Sequence, residues 1–251
     1  MPKTAARTTI ALLIAAVLMA GCGGDEAPVP EEVGASPSDD GPSPLPRDAG
    51  AAMTYPSLCT PPDGAPFSTE VTLTRCGDCA GAFALVWTGG GHDARGVGMT
   101  FGEGLFAVAR VGPGGLCVGV YHLEEGGLTG RWTGGGGIGT EVIGEASEPP
   151  ALGAWPEDAV FEVTGEGPDG TEYRGFLQAK PWNGAVVLRW TVGEEQISGG
   201  ALPVGDWLVA GFNEGTYGVS VYERNENGWR GRWYAPGNDA FGEESLAPYS
   251  G

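Results

Sequence analysis

The sequence predicts an all-β protein: two tandem antiparallel meander barrels, calycin-like in outline, held behind an exported acidic tether. Three observations predict it. Motifs of the first half recur in order in the second, apolar residues alternate with small or polar ones along short runs, and turn-forming clusters punctuate those runs. FALVWTGGG (83–91) lies against VVLRWTVGE (186–194), which sets Trp87 on Trp190. VGVYHLEEGGLTGRW (118–132) lies against VSVYERNENGWRGRW (219–233), which sets Tyr121 on Tyr222, Arg131 on Arg232 and Trp132 on Trp233. Gly139-Thr140-Glu141 matches Gly242-Glu243-Glu244, and Pro62-Asp63-Gly64 matches Pro168-Asp169-Gly170. Spacing drifts by a few residues between blocks, as loop insertions in a duplicated unit produce.

The first element is a secretory signal, residues 1–21. Lys3 and Arg7 precede the apolar run Ile10–Met19 and then small residues. About 10 apolar residues cannot span a bilayer that needs roughly 20, so the run reads as a signal and not a membrane helix. Leu18-Met19-Ala20-Gly21-Cys22 resembles the bacterial lipobox, which implies cleavage before Cys22 and acylation of its sulfur and amine, palmitate being the usual chain. The mature protein is therefore expected to be a membrane-tethered lipoprotein. By the same resemblance, Gly23 in place of Asp favours the outer membrane of a Gram-negative cell.

Residues 22–54 read as a solvated tether, with spaced prolines, the acidic pairs Asp25-Glu26, Glu31-Glu32 and Asp39-Asp40, and almost no large apolar side chain. The whole chain holds 47 Gly and 20 Pro, a share that reaches the range of low-complexity disorder. Eight Trp and a 41 % hydrophobic content argue for a packed core beyond the tether.

The two copies occupy 55–147 and 159–251. Val186, Leu188, Trp190 and Val192 alternate with smaller or polar residues; Trp229, Gly231 and Trp233 share one face, opposite Arg230 and Arg232. That period of two signals half-buried antiparallel strands, and PDG, GPGG, EEGG, NEGT and NENG supply the turns. Seven or eight short strands per copy, with no helical stretch, fit one small barrel each. A single larger barrel with pseudo-two-fold symmetry is the alternative, because hairpin loops do not say where a sheet closes.

The second copy, FEVTGEGPDGTEYRG (161–175), VLRW (187–190), GVSVYE (218–223), GRW (231–233) and GEESL (242–246), resembles a family of small secreted bacterial β-proteins. Their pattern runs Y-x-V-x-G-x-N-P-D-G, W, G-I-C-M, V-V-Y, L-x-G-x-W and G-T-E, and some members are labelled fibronectin-binding. The resemblance covers 159–247 and, more weakly at its start, 60–143. It implies an extracellular protein partner. The family's two cysteines are replaced here by Phe83 and Gly98 in copy one, and by Val186 and Gly200 in copy two. Joint loss of both implies a disulfide in the family, and the large–small replacement predicts that Phe83 and Gly98 are cross-strand or core neighbours.

The other four cysteines lie in copy one: Cys59, Cys76, Cys79 and Cys117. Export favours disulfides, and the preferred pairing is Cys76–Cys79 and Cys59–Cys117. Cys76-Gly77-Asp78-Cys79 falls in a hairpin turn, which speaks against redox chemistry that needs a helix N-terminus. No second Cys pair or adjacent His completes a metal set, and no calcium loop occurs, so no metal and no cofactor are expected. His92 and His122 read as solvent-facing polar residues. Trp87, Trp132, Trp190, Trp233, Arg131, Arg232, Glu141 and Glu244 read as structural, each Arg packed along an aromatic or paired to its Glu at a barrel end. A formal charge of −19 excludes nucleic acid as a default partner. No nucleophile–base constellation, P-loop or Rossmann pattern appears. The expectation is a non-enzymatic lipid-anchored surface module with a protein partner; the alternative is a barrel that holds a small apolar ligand in its lumen.

Overall fold

The computed structural model describes residues 45–77, 81–91, 93–110, 117–124, 127–134, 136–144, 159–212, 218–235 and 238–247. Copy one forms β1 (Ala52–Thr60), β2 (Phe67–Arg75), β3 (Ala82–Thr88), β4 (Ala94–Phe101), β5 (Leu105–Arg110), β6 (Cys117–Glu124), β7 (Gly127–Thr133) and β8 (Gly139–Gly144). Copy two repeats them as β9 (Ala159–Glu166), β10 (Glu172–Trp182), β11 (Ala185–Val192), β12 (Glu195–Val204), β13 (Trp207–Phe212), β14 (Gly218–Asn225), β15 (Gly228–Tyr234) and β16 (Gly242–Leu246). Every described element is a strand, and they close two eight-stranded antiparallel barrels, as the sequence predicts.

The barrels are not the copies. One consists of β1–β5 and β14–β16, the other of β6–β13. Each barrel takes the first five strands of one copy and the last three of the other. The expectation that each copy closes its own barrel is thus corrected: β5 pairs with β14, β13 pairs with β6, and β1 closes on β16. Closed sheets leave no free edge to pair with another chain.

Strand patterns follow position. Strands facing solvent on one side alternate, as β16 does with Gly242, Glu244 and Leu246 buried and Glu243 and Ser245 exposed. Strands between the barrels are covered on both sides and read as continuous apolar runs, such as LFAVA (105–109) in β5 and WLVAGF in β13. Their outward side chains, including Met99, Ala107, Ala109, Val118, Val120, Leu202, Val209, Val219 and Val221, form a third core between the two lumens.

The boundary of the tether also moves. β1 begins at Ala52, and Leu45 packs into the core of the first barrel, 9 % exposed. Residues 45–54 therefore belong to the folded unit. The signal, Cys22 and the rest of the tether lie outside the described residues, as do Cys79 and His92.

Phe83 stands directly opposite Gly98 in the β3–β4 register, as expected. A Cβ at Gly98 would meet the Phe106 ring at 2.5 Å and Leu85 Cδ1 at 3.0 Å, so Phe106 and Leu85 fill the space over this glycine. In copy two Val186 faces Ala201, not Gly200, which corrects that pair by one residue. Facing Cα atoms in an antiparallel pair stand about 4.5–5.5 Å apart, within disulfide range. With Phe106→Leu to clear that ring, Phe83→Cys/Gly98→Cys should therefore oxidise to a disulfide, detected as a linked peptide before reduction.

Candidate functional site

Each lumen is built around one buried glutamate. β6, β7 and β8 set Tyr121, Gly130 and Glu141 in one row, and β14, β15 and β16 set Tyr222, Gly231 and Glu244 in another. The glycine is the space across which the tyrosine leans. A Cβ at Gly130 would meet the Tyr121 ring at 2.2 Å, and one at Gly231 would meet the Tyr222 ring at 2.4 Å. Laid over that gap, Tyr121 donates to Glu141 Oε2 at 2.8 Å, and Tyr222 donates to Glu244 Oε2. One row along, Trp132 and Trp233 lie over Gly139 and Gly242 in the same way. The recurring G-x-W and G-x-E motifs thus place an aromatic ring over a glycine and a carboxylate at the ring's far end.

Trp87 and Trp190 fill the lumens and donate from Nε1 to the same carboxylates, at 3.0 Å to Glu244 and 3.3 Å to Glu141. Glu244 is 1 % exposed and Glu141 4 %. From there the centres diverge. Glu244 also accepts from Ser57 Oγ at 2.6 Å and pairs with Arg110, whose guanidinium lies 4.5 Å from the Trp87 ring centroid. Burial works to lower the Arg110 pKa, but the Glu244 carboxylate raises it above its ordinary value. Phe212 takes the place of Arg110 in the other barrel, against Trp190 at 4.9 Å between centroids. There Tyr173 supplies the third donor, to Glu141 Oε1 at 2.9 Å, and in turn accepts from Trp132 Nε1 at 3.0 Å.

Cys59 faces Phe67 where Gly165 faces Tyr173, so a Cys–Phe–Arg set in one lumen replaces a Gly–Tyr–Phe set in the other. Burial pushes the Cys59 thiol up, opposed by the charge of Arg110. Cys117 is pushed up to about 12 by burial. Both thiols are free and lie in different barrels, so the expected Cys59–Cys117 bridge is not made. Cys76 sits in the expected β2–β3 hairpin connection, its N–H donating to Ala82 O at 3.0 Å.

The expected pairing of Arg131 and Arg232 with the glutamates is corrected as well. These arginines point out of the sheet face that carries Glu141 and Glu244. Arg131 donates to Thr100 O at 2.9 Å and Arg232 to Pro203 O at 2.7 Å, each reaching from one barrel to the other. Arg232 also lies 5.4 Å from the Phe241 ring, which keeps the aromatic half of the expectation. His122 is half-exposed, against Trp207 at 4.7 Å. Asp169 satisfies Thr171 N and Oγ1 at 3.0 and 2.8 Å, which is turn chemistry. Among the described residues no group of three His, Cys, Asp or Glu could hold a metal ion.

Chemically, both centres are pinned. Glu141 has three neutral donors and no cation; burial raises its pKa, and the bonds from Tyr121, Tyr173 and Trp190 lower it again. A raised carboxyl favours the protonated fold, so its contribution is full below the usual Glu range and is lost as pH rises through the folded value. The stability of the protein relative to Glu141→Gln should therefore fall as pH rises above the usual Glu range, measured as the difference in urea midpoints. A flat difference would contradict the direction.

Sequence reasoning found the two tryptophans and two glutamates but missed Tyr121, Tyr222, Gly130 and Gly231 as their partners. All four recur in both copies, which was the available signal. Arg110, Ser57 and Tyr173 occur in one copy each and carry none.

Among the described residues, Tyr55, Phe106, Trp87 and Tyr222 pack together in one barrel, and Leu177, Leu188, Trp190 and Tyr121 in the other. A cavity of about 270 Å³ opens instead over β16, lined by Leu58, Thr60, Asn227, Arg230, Glu243 and Ser245 among others. Comparison with family models, with curated proteins and with solved structures finds no match to this chain.

Proposed function

We propose that the protein is a non-enzymatic, lipid-anchored surface module that binds an extracellular protein through the outer faces of its paired barrels. The observation that carries this reading is the packing of both lumens around hydrogen-bonded glutamates. Side chains committed to Trp, Tyr and Ser donors are not poised for acid–base work, and ligand sites need roughly 300 Å³ or more of enclosed space. The lipobox-like Cys22 and the tether that follows support attachment to a membrane, and the family resemblance supports a matrix-type partner.

Two measurements test it. Mass spectrometry and detergent partitioning of the native protein should show an acylated Cys22, lost in Cys22→Ala. The unlipidated variant is then passed over immobilised fibronectin at low salt and, separately, titrated with an apolar fluorescent probe. Retention on the protein surface without probe uptake is expected; saturable probe uptake without retention would move the lumen-ligand reading ahead.

A further inference from the structure

The exchange of strands between copies preserves every register. β5 meets β14 with Arg110 opposite Gly218 and Phe106 opposite Tyr222. β13 meets β6 with Phe212 opposite Cys117 and Leu208 opposite Tyr121. The two junctions lie side by side between the barrels: a Cβ at Gly211 would stand 3.2 Å from Ala109 Cβ and 3.3 Å from Val219 Cβ. At one spot, therefore, the ends of β5 and β13 and the start of β14 come together, with β6 beginning opposite the end of β13.

The lumens do not choose between partners either. β6–β8 and β14–β16 carry the same Tyr, Gly, Trp and Glu in the same rows. In place of β14–β16, β6–β8 would set Glu141 beside Arg110 and Tyr121 across Gly130, so the buried ion pair would be kept. Cys117 would replace Gly218 opposite Arg110, and Gly119 the buried Ser220; the other differences are of packing, such as Leu128 where Trp229 touches Phe106. Substitutions of that kind, volume-changing but apolar, cost about 1–3 kcal/mol in a core.

We infer that the chain has a second closed form, in which each copy closes its own barrel through the same registers. The exchanged form described above has two crossings between barrels, after β5 and after β13; the unexchanged form has one, after β8. A free-energy gap of a few kcal/mol leaves such a minor form populated at 0.1–10 % at equilibrium, and refolding can trap more of it. Cys117 would then enter the lumen that holds Cys59.

The test uses the full mature chain. Leu105 faces Glu223 in the exchanged form, and His122 is the residue of copy one that stands where Glu223 does. Leu105→Cys/Glu223→Cys reports exchange, and Leu105→Cys/His122→Cys reports its absence. Leu105→Cys alone controls for folding. Each variant is oxidised with oxidised glutathione, which takes two electrons and two protons from the two thiols, before and after unfolding in guanidinium with reductant. Peptide mapping of the monomer then identifies the link. The 105–223 link is expected in both samples, and the 105–122 link is expected to be more abundant after refolding than before it. A 105–122 link absent from the monomer in both samples, or found only between two chains, would overturn the inference. So would a complete 105–122 link with no 105–223 link, since only one closure would then exist.

Discussion

Glu244→Gln is expected to destabilise the protein by about 3–5 kcal/mol, the cost of breaking a buried ion pair from one side. The amide removes the charge opposite Arg110, and it presents one acceptor oxygen where Ser57, Trp87, Tyr222 and Arg110 require two. Removing the other partner should cost less. The second barrel shows that a glutamate in this position is held by neutral donors alone, with Phe212 where Arg110 would be. Arg110→Phe should therefore lose markedly less stability than Glu244→Gln, both read by urea unfolding followed by tryptophan fluorescence. Equal losses would mean that the ion pair, and not the stranded guanidinium, sets the cost.

Gly231→Val is the second large effect, about 2–4 kcal/mol, because it both overpacks the lumen and dislodges a donor. The new Cβ would fall 2.4 Å from the Tyr222 ring. The ring cannot move aside and still reach Glu244, so the carboxylate loses a bond at the same time. Tyr222→Phe keeps the ring and removes only that bond, and its cost should be the smaller of the two. In the double variant Gly231→Val/Tyr222→Ala the steric part disappears, so the losses should be clearly non-additive in a double-mutant cycle. Additive losses would show that the Tyr222 ring does not lean on Gly231.

Much of this architecture is legible in the residues. Alternation in β11 and β16 and the doubled order of Tyr, G-x-W and G-x-E point to seven or eight strands per copy and to barrels, and the structure has sixteen strands in two closures. The continuous apolar runs at 105–109 and 207–212 are a further signal, marking strands covered on both faces. What the residues do not disclose is which copy completes which barrel. The cause is physical: β6–β8 and β14–β16 carry the same Tyr, Gly, Trp and Glu in the same rows, so both connections satisfy the recurring motifs. The Cys59–Cys117 pairing failed for that reason. Pairing within a copy requires both cysteines in one barrel, and the exchange places Cys59 and Cys117 in two. The arginines beside the tryptophans failed for another. Strand alternation sends Arg131 and Arg232 to the face opposite the glutamates, and the surface there is the other barrel.

The seams β1–β16 and β5–β14 have a kinetic consequence. The barrel of β6–β13 is contiguous, complete once Phe212 exists, whereas β1–β5 must remain open until Leu246 has been made. Pairings this distant in sequence are slow, because loop closure must be achieved before any contact rewards it. A chain that emerges N-terminus first offers β6–β8 to β1–β5 long before β14–β16 arrive. A chain released whole offers both at once. The speed of delivery relative to the speed of closure thus becomes a determinant of topology.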